Sequence, residues 1–190
     1  TPYDDKYYND LKAITLTSFK LTSFNTDRKI PLDTGNQVAW ELWCKPVLKS
    51  DKKKYCIVAS AGNKAVGYII YGADTRYSKL LKLKIGSIIL MAVDNKFQGD
   101  YNIARNLLKS FLNIYNKYQI NVVTAGTDQD NLPAMINYTN ENFKPILFWS
   151  TYRYYFIKGD LKKQKNIKVI EKKKIKLGHL KNSSRPVSFF

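Results

Sequence analysis

At 190 residues and 22.0 kDa the chain is long enough for one good hydrophobic core and short for two. A hydrophobic fraction of 44% with 14% aromatics excludes a disordered chain, and no apolar run approaches the ~20 residues that span a bilayer. The net charge of +17 asks for an anionic partner: nucleic acid, an acidic surface or a phosphorylated small molecule.

Residues 3–24 carry apolar side chains at Leu11, Ile14, Leu16, Phe19 and Leu21, the spacing of an amphipathic helix that frays into a loop. Residues 27–31 form a turn, because Pro31 cannot continue a helix and restricts Ile30. Thr34 is an N-cap for a second helix through Val38, Trp40, Leu42 and Trp43, ended by Pro46. Cys44 and Cys56 lie in apolar contexts without CxxC spacing, so they read as reduced core thiols, which suits a cytoplasmic protein. No cleavable leader is visible in the polar residues 1–10. A charged turn at 51–54 precedes strands at 55–60 and 65–71, a hairpin around Ala61-Gly62-Asn63-Lys64. A long strand is expected over 81–93, with Gly86 as a bulge or a close approach.

Residues 90–108 form the organising stretch, read as a buried strand (88–93), a polar turn (94–101) and a helix opening near Asn102, with an apolar stripe of Ile103, Leu107, Leu108, Phe111, Leu112 and Tyr115. The first turn of a helix has backbone N–H groups without intrahelical partners and the positive end of the macrodipole, so a diphosphate suits it. A strand at 120–126, a short helix at 131–139 with Pro133 in its first turn, and strands at 143–148 and 152–157 complete the order αα-βββ-α-β-α-ββ. That order is an α+β layer arrangement.

The run Ala92-Val93-Asp94 followed by Gln98, Gly99 and Ala104 resembles motif A of the GNAT (N-acetyltransferase) superfamily. Asn102 stands where that motif usually has glycine, and Asp100–Tyr101 lengthen the loop by one residue. Thr127, Asn131, Ala134, Tyr138 and Phe143 resemble its motif B, with Asn142 at a customary glycine. The resemblance implies a mixed, mostly antiparallel sheet flanked by helices, in which acetyl-CoA lies where a parallel strand pair splays, expected at 88–93 and 120–124. It implies that Met91, Ala92 and Val93 pair with the pantetheine arm through their backbone. Gln98, Gly99, Asp100, Tyr101, Asn102, Ala104 and Arg105 would then cradle the diphosphate, with Thr127 and Asn131 also touching acetyl-CoA. Tyr138 is placed as the general acid that protonates the departing CoA thiolate. Read without the resemblance, Asn131 is an N-cap, Arg105 a solvated helix position and Tyr138 a packed aromatic.

The pattern of Phe19, Phe24, Asp27, Ile30 and Pro31 followed by Trp43 is similar to the TDP-fucosamine acetyltransferase branch, which acetylates the amine of a nucleotide-linked sugar. The expected acceptor is therefore a TDP- or UDP-linked deoxy-amino sugar used in polysaccharide biosynthesis. A GNAT enzyme for another small amine or a protein N-terminus stands behind it, and a basic nucleic-acid-binding module on the same scaffold comes third. No general base can be named: Ser87 and apolar residues occupy the strand, and the one histidine, His179, lies in the basic tail. Two separated cysteines and one histidine cannot supply four zinc ligands, so no metal is expected. Domain organisation reads as a 1–157 acetyltransferase domain, helical over 1–50, and a basic extension at 158–190 that holds eleven Lys/Arg against two Asp/Glu. The exposed edge strand of the closing hairpin leaves a homodimer open.

Overall fold

The computed structural model of the chain describes residues 1–18, 36–99, 101–128, 131–149 and 153–158. All lie in a compact unit spanning Thr1–Asp160; a second unit, Leu161–Phe190, falls outside the described residues, as do the expected turn at 27–31 and the Thr34 cap. Six strands form one sheet in the order β1-β2-β3-β4-β6-β5: β1 (Cys56–Ala61), β2 (Lys64–Ala73), β3 (Ile85–Val93), β4 (Val122–Asp128), β5 (Lys144–Trp149) and β6 (Arg153–Lys158). Every neighbouring pair is antiparallel except β3–β4, which is parallel. The sheet is the mixed, mostly antiparallel one that the sequence predicts.

Helices cover both faces, so the central strands are buried on both sides and read as unbroken apolar runs. Helix α1 (Tyr8–Ser18) sends Leu11 and Ile14 onto one face, where Trp40, Cys44 and Leu48 join them against Val58, Tyr68, Ile70, Leu90 and Ala92. Thr15 is the polar exception on that face. Its hydroxyl reaches the fully buried Tyr68 hydroxyl at 2.6 Å and donates to Leu11 O at 2.7 Å, so the phenol is satisfied. Both cysteines are buried free thiols, as expected.

Pro46 does not end the second helix. Residues Ala39–Cys44 are wound as a π-helix that leads into α2 (Lys45–Leu48). The Lys45 N–H donates to Trp40 O, five residues back, and Lys49 N returns to the ordinary spacing on Lys45 O. The one-residue slip carries the chain past the position whose N–H proline lacks.

On the opposite face, α4 (Tyr101–Lys117) lays the expected stripe of Leu107, Leu108, Phe111, Leu112 and Tyr115 against Ile57, Ile69, Tyr71, Val123 and Ala125. Phe111 is fully buried, a burial that stabilises by about 1.5–3 kcal/mol for such a side chain. Tyr115 crosses Gly86: a Cβ there would stand 1.4 Å from the Tyr115 ring, and the hydroxyl donates to Gly72 O at 2.7 Å. Gly86 is thus the site of a close approach. Helix α5 (Leu132–Asn140) completes this layer with Tyr138, joined by Phe143 from the turn beyond it.

Two sequence boundaries move. The long strand expected from residue 81 begins at Ile85, because α3 (Thr75–Leu81) occupies the start and Lys82 turns the chain at φ +53°. The strand expected from residue 120 begins at Val122, after Gln119 has taken φ +52°. Neither turn is marked by glycine, the usual sign of such a φ.

Candidate active site

The parallel ladder between β3 and β4 is short. Ile85 pairs with Val122, Gly86 with Val123, Ser87 with Thr124 and Ile88 with Ala125. Beyond Ile88, β3 continues to Val93 paired with β2, and beyond Ala125, β4 continues to Asp128 paired with β6. The strands therefore part, and residues 89–93 and 126–128 line a wedge with two open edges. The ladder covers 85–88 and 122–125, so β3 stands free of β4 over 89–93, within the expected 88–93, whereas β4 opens at 126–128, beyond the expected 120–124.

The antiparallel ladder fixes which backbone groups enter the wedge. Asp94 N donates to Val66 O at 2.9 Å, so the neighbouring Gly67–Val93 pair is a non-hydrogen-bonded one. By alternation Met91 and Val93 turn their N–H and C=O away from β2 into the wedge, while Ala92 turns toward β2. Of the three expected backbone contacts, two face the opening and Ala92 contributes a buried side chain behind them. The carbonyl of Val93 already accepts from Ser18 Oγ (2.9 Å) and Gln98 Nε2 (3.2 Å).

The loop that leaves β3 is built from its own side chains. Asp94 caps a short 3-10 turn at Asn95–Phe97 by accepting from Lys96 N at 2.9 Å, and Asn95 Nδ2 ties the loop to Thr17 O at 2.8 Å. Gly99 has φ +103° with nothing within 4 Å of where a Cβ would stand, so its glycine serves backbone conformation. Asp100 lies outside the described residues. Helix α4 opens at Tyr101, and Asn102, exposed, is inside its first turn. A glycine-like φ is therefore not asked of Asn102. The first turn of any helix leaves backbone N–H groups without intrahelical partners, and α4 begins shortly after the end of β3. Ala104 is half-buried, and Arg105 Nε donates to Glu141 Oε1 at 2.9 Å, so its guanidinium is shared with the end of α5 rather than simply solvated.

On the other wall Thr127 is buried near the end of β4. Asn131 is the N-cap of α5, its side chain accepting from Ala134 N at 3.3 Å. Tyr138 is 3% exposed, with its ring tilted on Phe143 at 5.5 Å between centroids. Its carbonyl accepts from Glu141 N (3.2 Å) and Phe143 N (2.9 Å) across a turn in which Asn142 takes φ +63°. That is the left-handed position where glycine is customary, and asparagine tolerates it. Burial pushes the Tyr138 phenol well above the ordinary tyrosine range, so it stays protonated at neutral pH. At the apex, Ser87 Oγ and Thr124 Oγ1 meet at 2.6 Å. Thr124 was not signalled by its sequence context, since register alone brings it to Ser87. Among the described residues no group of three or more His, Cys, Asp or Glu side chains gathers around a common point.

The parallel pair thus parts just ahead of the loop that leads into α4. The acetyltransferase (GNAT) family profile matches residues 20–142, well over half of the chain. The chain belongs to this family. Its acyl donor is acetyl-CoA, and its reaction is acetyl transfer. The fold is similar to that of PH1933 from Pyrococcus horikoshii OT3, at 25% identity and a TM-score of 0.59, over 84% of this chain and 94% of that one. It is also similar to the PaiA N-acetyltransferase of Thermoplasma acidophilum solved with coenzyme A, at 12% identity and a TM-score of 0.67, over 84% and 97%. A ribosomal-protein-alanine N-acetyltransferase from Brucella melitensis superposes at 14% identity and a TM-score of 0.58, over 84% and 98%. No protein of curated function matches the chain in sequence.

Proposed function

We propose that this acetyltransferase acts on the primary amine of a nucleotide-linked deoxy-amino sugar by direct transfer from acetyl-CoA. The observation that carries the acceptor class is charge. A net +17 favours a site that takes two polyanions, the CoA diphosphate and a nucleotide diphosphate, and disfavours polyamine or aminoglycoside acceptors, which it repels. The similarity of residues 19–43 to the TDP-fucosamine acetyltransferase branch supports the same class.

In this reading the edge groups of Met91 and Val93 hold the pantetheine arm extended along β3, and the first-turn amides of α4 take the diphosphate. The amine nitrogen attacks the thioester carbonyl, a C–N bond forms and the C–S bond breaks. Tyr138 gives its phenolic proton to the departing sulfur, and the proton shed by the amine restores it through solvent. The hydroxyl pair of Ser87 and Thr124 sits where many such enzymes would need a carboxylate. A sugar amine, less basic than lysine, is substantially neutral near pH 7–8 and needs no strong base.

The test is release of the CoA thiol from acetyl-CoA across TDP- and UDP-linked amino sugars, a polyamine and a peptide N-terminus, for the parent and Tyr138→Phe. The proposal expects turnover on one nucleotide sugar and a fall of about 10²-fold or more in kcat for Tyr138→Phe. Turnover confined to the peptide or the polyamine would overturn the acceptor class, and full kcat in Tyr138→Phe would remove the acid.

A further inference from the structure

The end of the sheet opposite the wedge is chemically distinct. There β3 and β4 begin, β2 and β6 end, and α4 finishes: Ala73 pairs with Gly86, Gly86 with Val123, and Val123 with Lys158. Three connecting segments converge on it. Tyr55 stacks edge-on against Tyr71 at 5.8 Å and Tyr71 against Tyr115 at 5.9 Å, which brings in the segment before β1. Asn121 N donates to Lys84 O (2.9 Å) and Asn121 Oδ1 accepts from Lys84 N (2.8 Å), which joins the turn after α4 to the turn after α3.

Half of the exposed large apolar side chains among the described residues gather here, and each sits beside a lysine. Leu80 (73% exposed) and Leu81 (37%) lie between Lys79 and Lys82, Tyr118 (64%) follows Lys117, and Tyr55 (40%) follows Lys54, whose Nζ stands 5.3 Å from its ring. Lys84 is exposed as well. The acids in these segments are Asp51 and Asp74.

We propose that this end docks on the surface of an anionic bilayer. Lysines within a Debye length of anionic headgroups are attracted to them, and tyrosine rings settle at the headgroup level. The leucine pair decides between polyanions. Two neighbouring exposed leucines gain nothing against a phosphate backbone, whereas at the acyl boundary they leave water. The wedge opens at the other end of the sheet, so a docked molecule keeps its mouth toward solvent. This inference is independent of the acceptor proposed above.

The test is cosedimentation of the full chain with phosphatidylcholine vesicles and with vesicles carrying about one-third phosphatidylglycerol. Two double variants accompany it, Leu80→Ser with Leu81→Ser and Lys82→Glu with Lys84→Glu, each checked for unaltered heat of acetyl-CoA binding. The parent is expected to partition onto the anionic vesicles alone and to be released by high salt, with each variant lowering partitioning on the order of tenfold. No partitioning, or partitioning that both variants leave unchanged, would overturn the proposal. Binding that falls with the lysines and ignores the leucines, matched by tighter binding to a single-stranded oligonucleotide, would assign the surface to nucleic acid and equally overturn it.

Discussion

Replacing Gly86 with alanine tests the packing behind the wedge. The added Cβ would stand 1.4 Å from Tyr115 Cε1, 2.2 Å from Cζ and 2.5 Å from the hydroxyl, so the ring must leave its seat. It cannot swing freely. Tyr115 is buried, its ring lies 4.3 Å from that of Phe111, and its hydroxyl holds Gly72 O at 2.7 Å. Overpacking costs about 1–3 kcal/mol, the lost hydroxyl bond about 1 kcal/mol and the lost ring contact about 0.5–1.5 kcal/mol. The expected loss is about 3–5 kcal/mol, or roughly 10 °C in Tm for a chain of this size. Thermal unfolding followed by circular dichroism reads it. A companion cycle with Tyr115→Leu separates crowding from backbone effects: with the ring gone, Gly86→Ala should cost under about 1 kcal/mol. A Gly86→Ala protein that melts within about 2 °C of the parent would refute the reasoning.

Other consequences follow from particular geometries. Asn142→Val puts a β-branched residue at φ +63° and should cost about 1–2 kcal/mol, while Asn142→Gly should be close to neutral; equal melting of the two would contradict the left-handed turn. Arg105→Ala leaves the Glu141 carboxylate, 12% exposed, without its guanidinium. Because the Arg105 side chain is itself half exposed, the loss is held to about 1 kcal/mol, and a larger rise in acetyl-CoA Kd than in instability would assign Arg105 to the diphosphate. Alkaline pH should destabilise the fold. Burial pushes the Cys44 thiol up to about 11, and raises Cys56, Tyr68, Tyr115 and Tyr138 above their ordinary ranges. The native state then binds more protons than the unfolded one, so their contribution is complete below the unfolded pKa values and is lost as pH rises from about 9 upward. A Tm that stays flat from pH 8 to 11 would contradict those burials.

The elements legible in the sequence are those whose chemistry is local. The stripe of α4 appears at helical spacing, Asn131 and Pro133 announce the start of α5, and Gly62 marks the β1–β2 turn, where it takes φ +60°. The wedge itself was recognisable only through its motifs, because the level at which β3 and β4 part is set by register between strands more than thirty residues apart. The turns at Lys82 and Gln119 are left-handed without a glycine to signal them, which is why α3 was hidden and both strand starts shifted. The π-helical slip before Pro46 depends on tertiary packing of Trp40 and Cys44, and a proline rule read on its own ends the helix too early. Arg105 pairs with Glu141, 36 residues away, a contact no local spacing proposes. Asn102 falls inside the first turn of α4, and the left-handed φ of this loop is taken at Gly99 instead.

The central claim is that acetyl-CoA lies in the wedge against the open edge of β3. Residue-resolved amide hydrogen exchange with and without acetyl-CoA addresses it directly. The account predicts that the Ala92 amide is slow in both states, because it is bonded to β2, and that the Met91 and Val93 amides become protected only when acetyl-CoA is added. Acetyl-CoA that binds without slowing Met91 or Val93, or an Ala92 amide that exchanges as fast as its neighbours in the free protein, would place the ligand elsewhere and contradict the account.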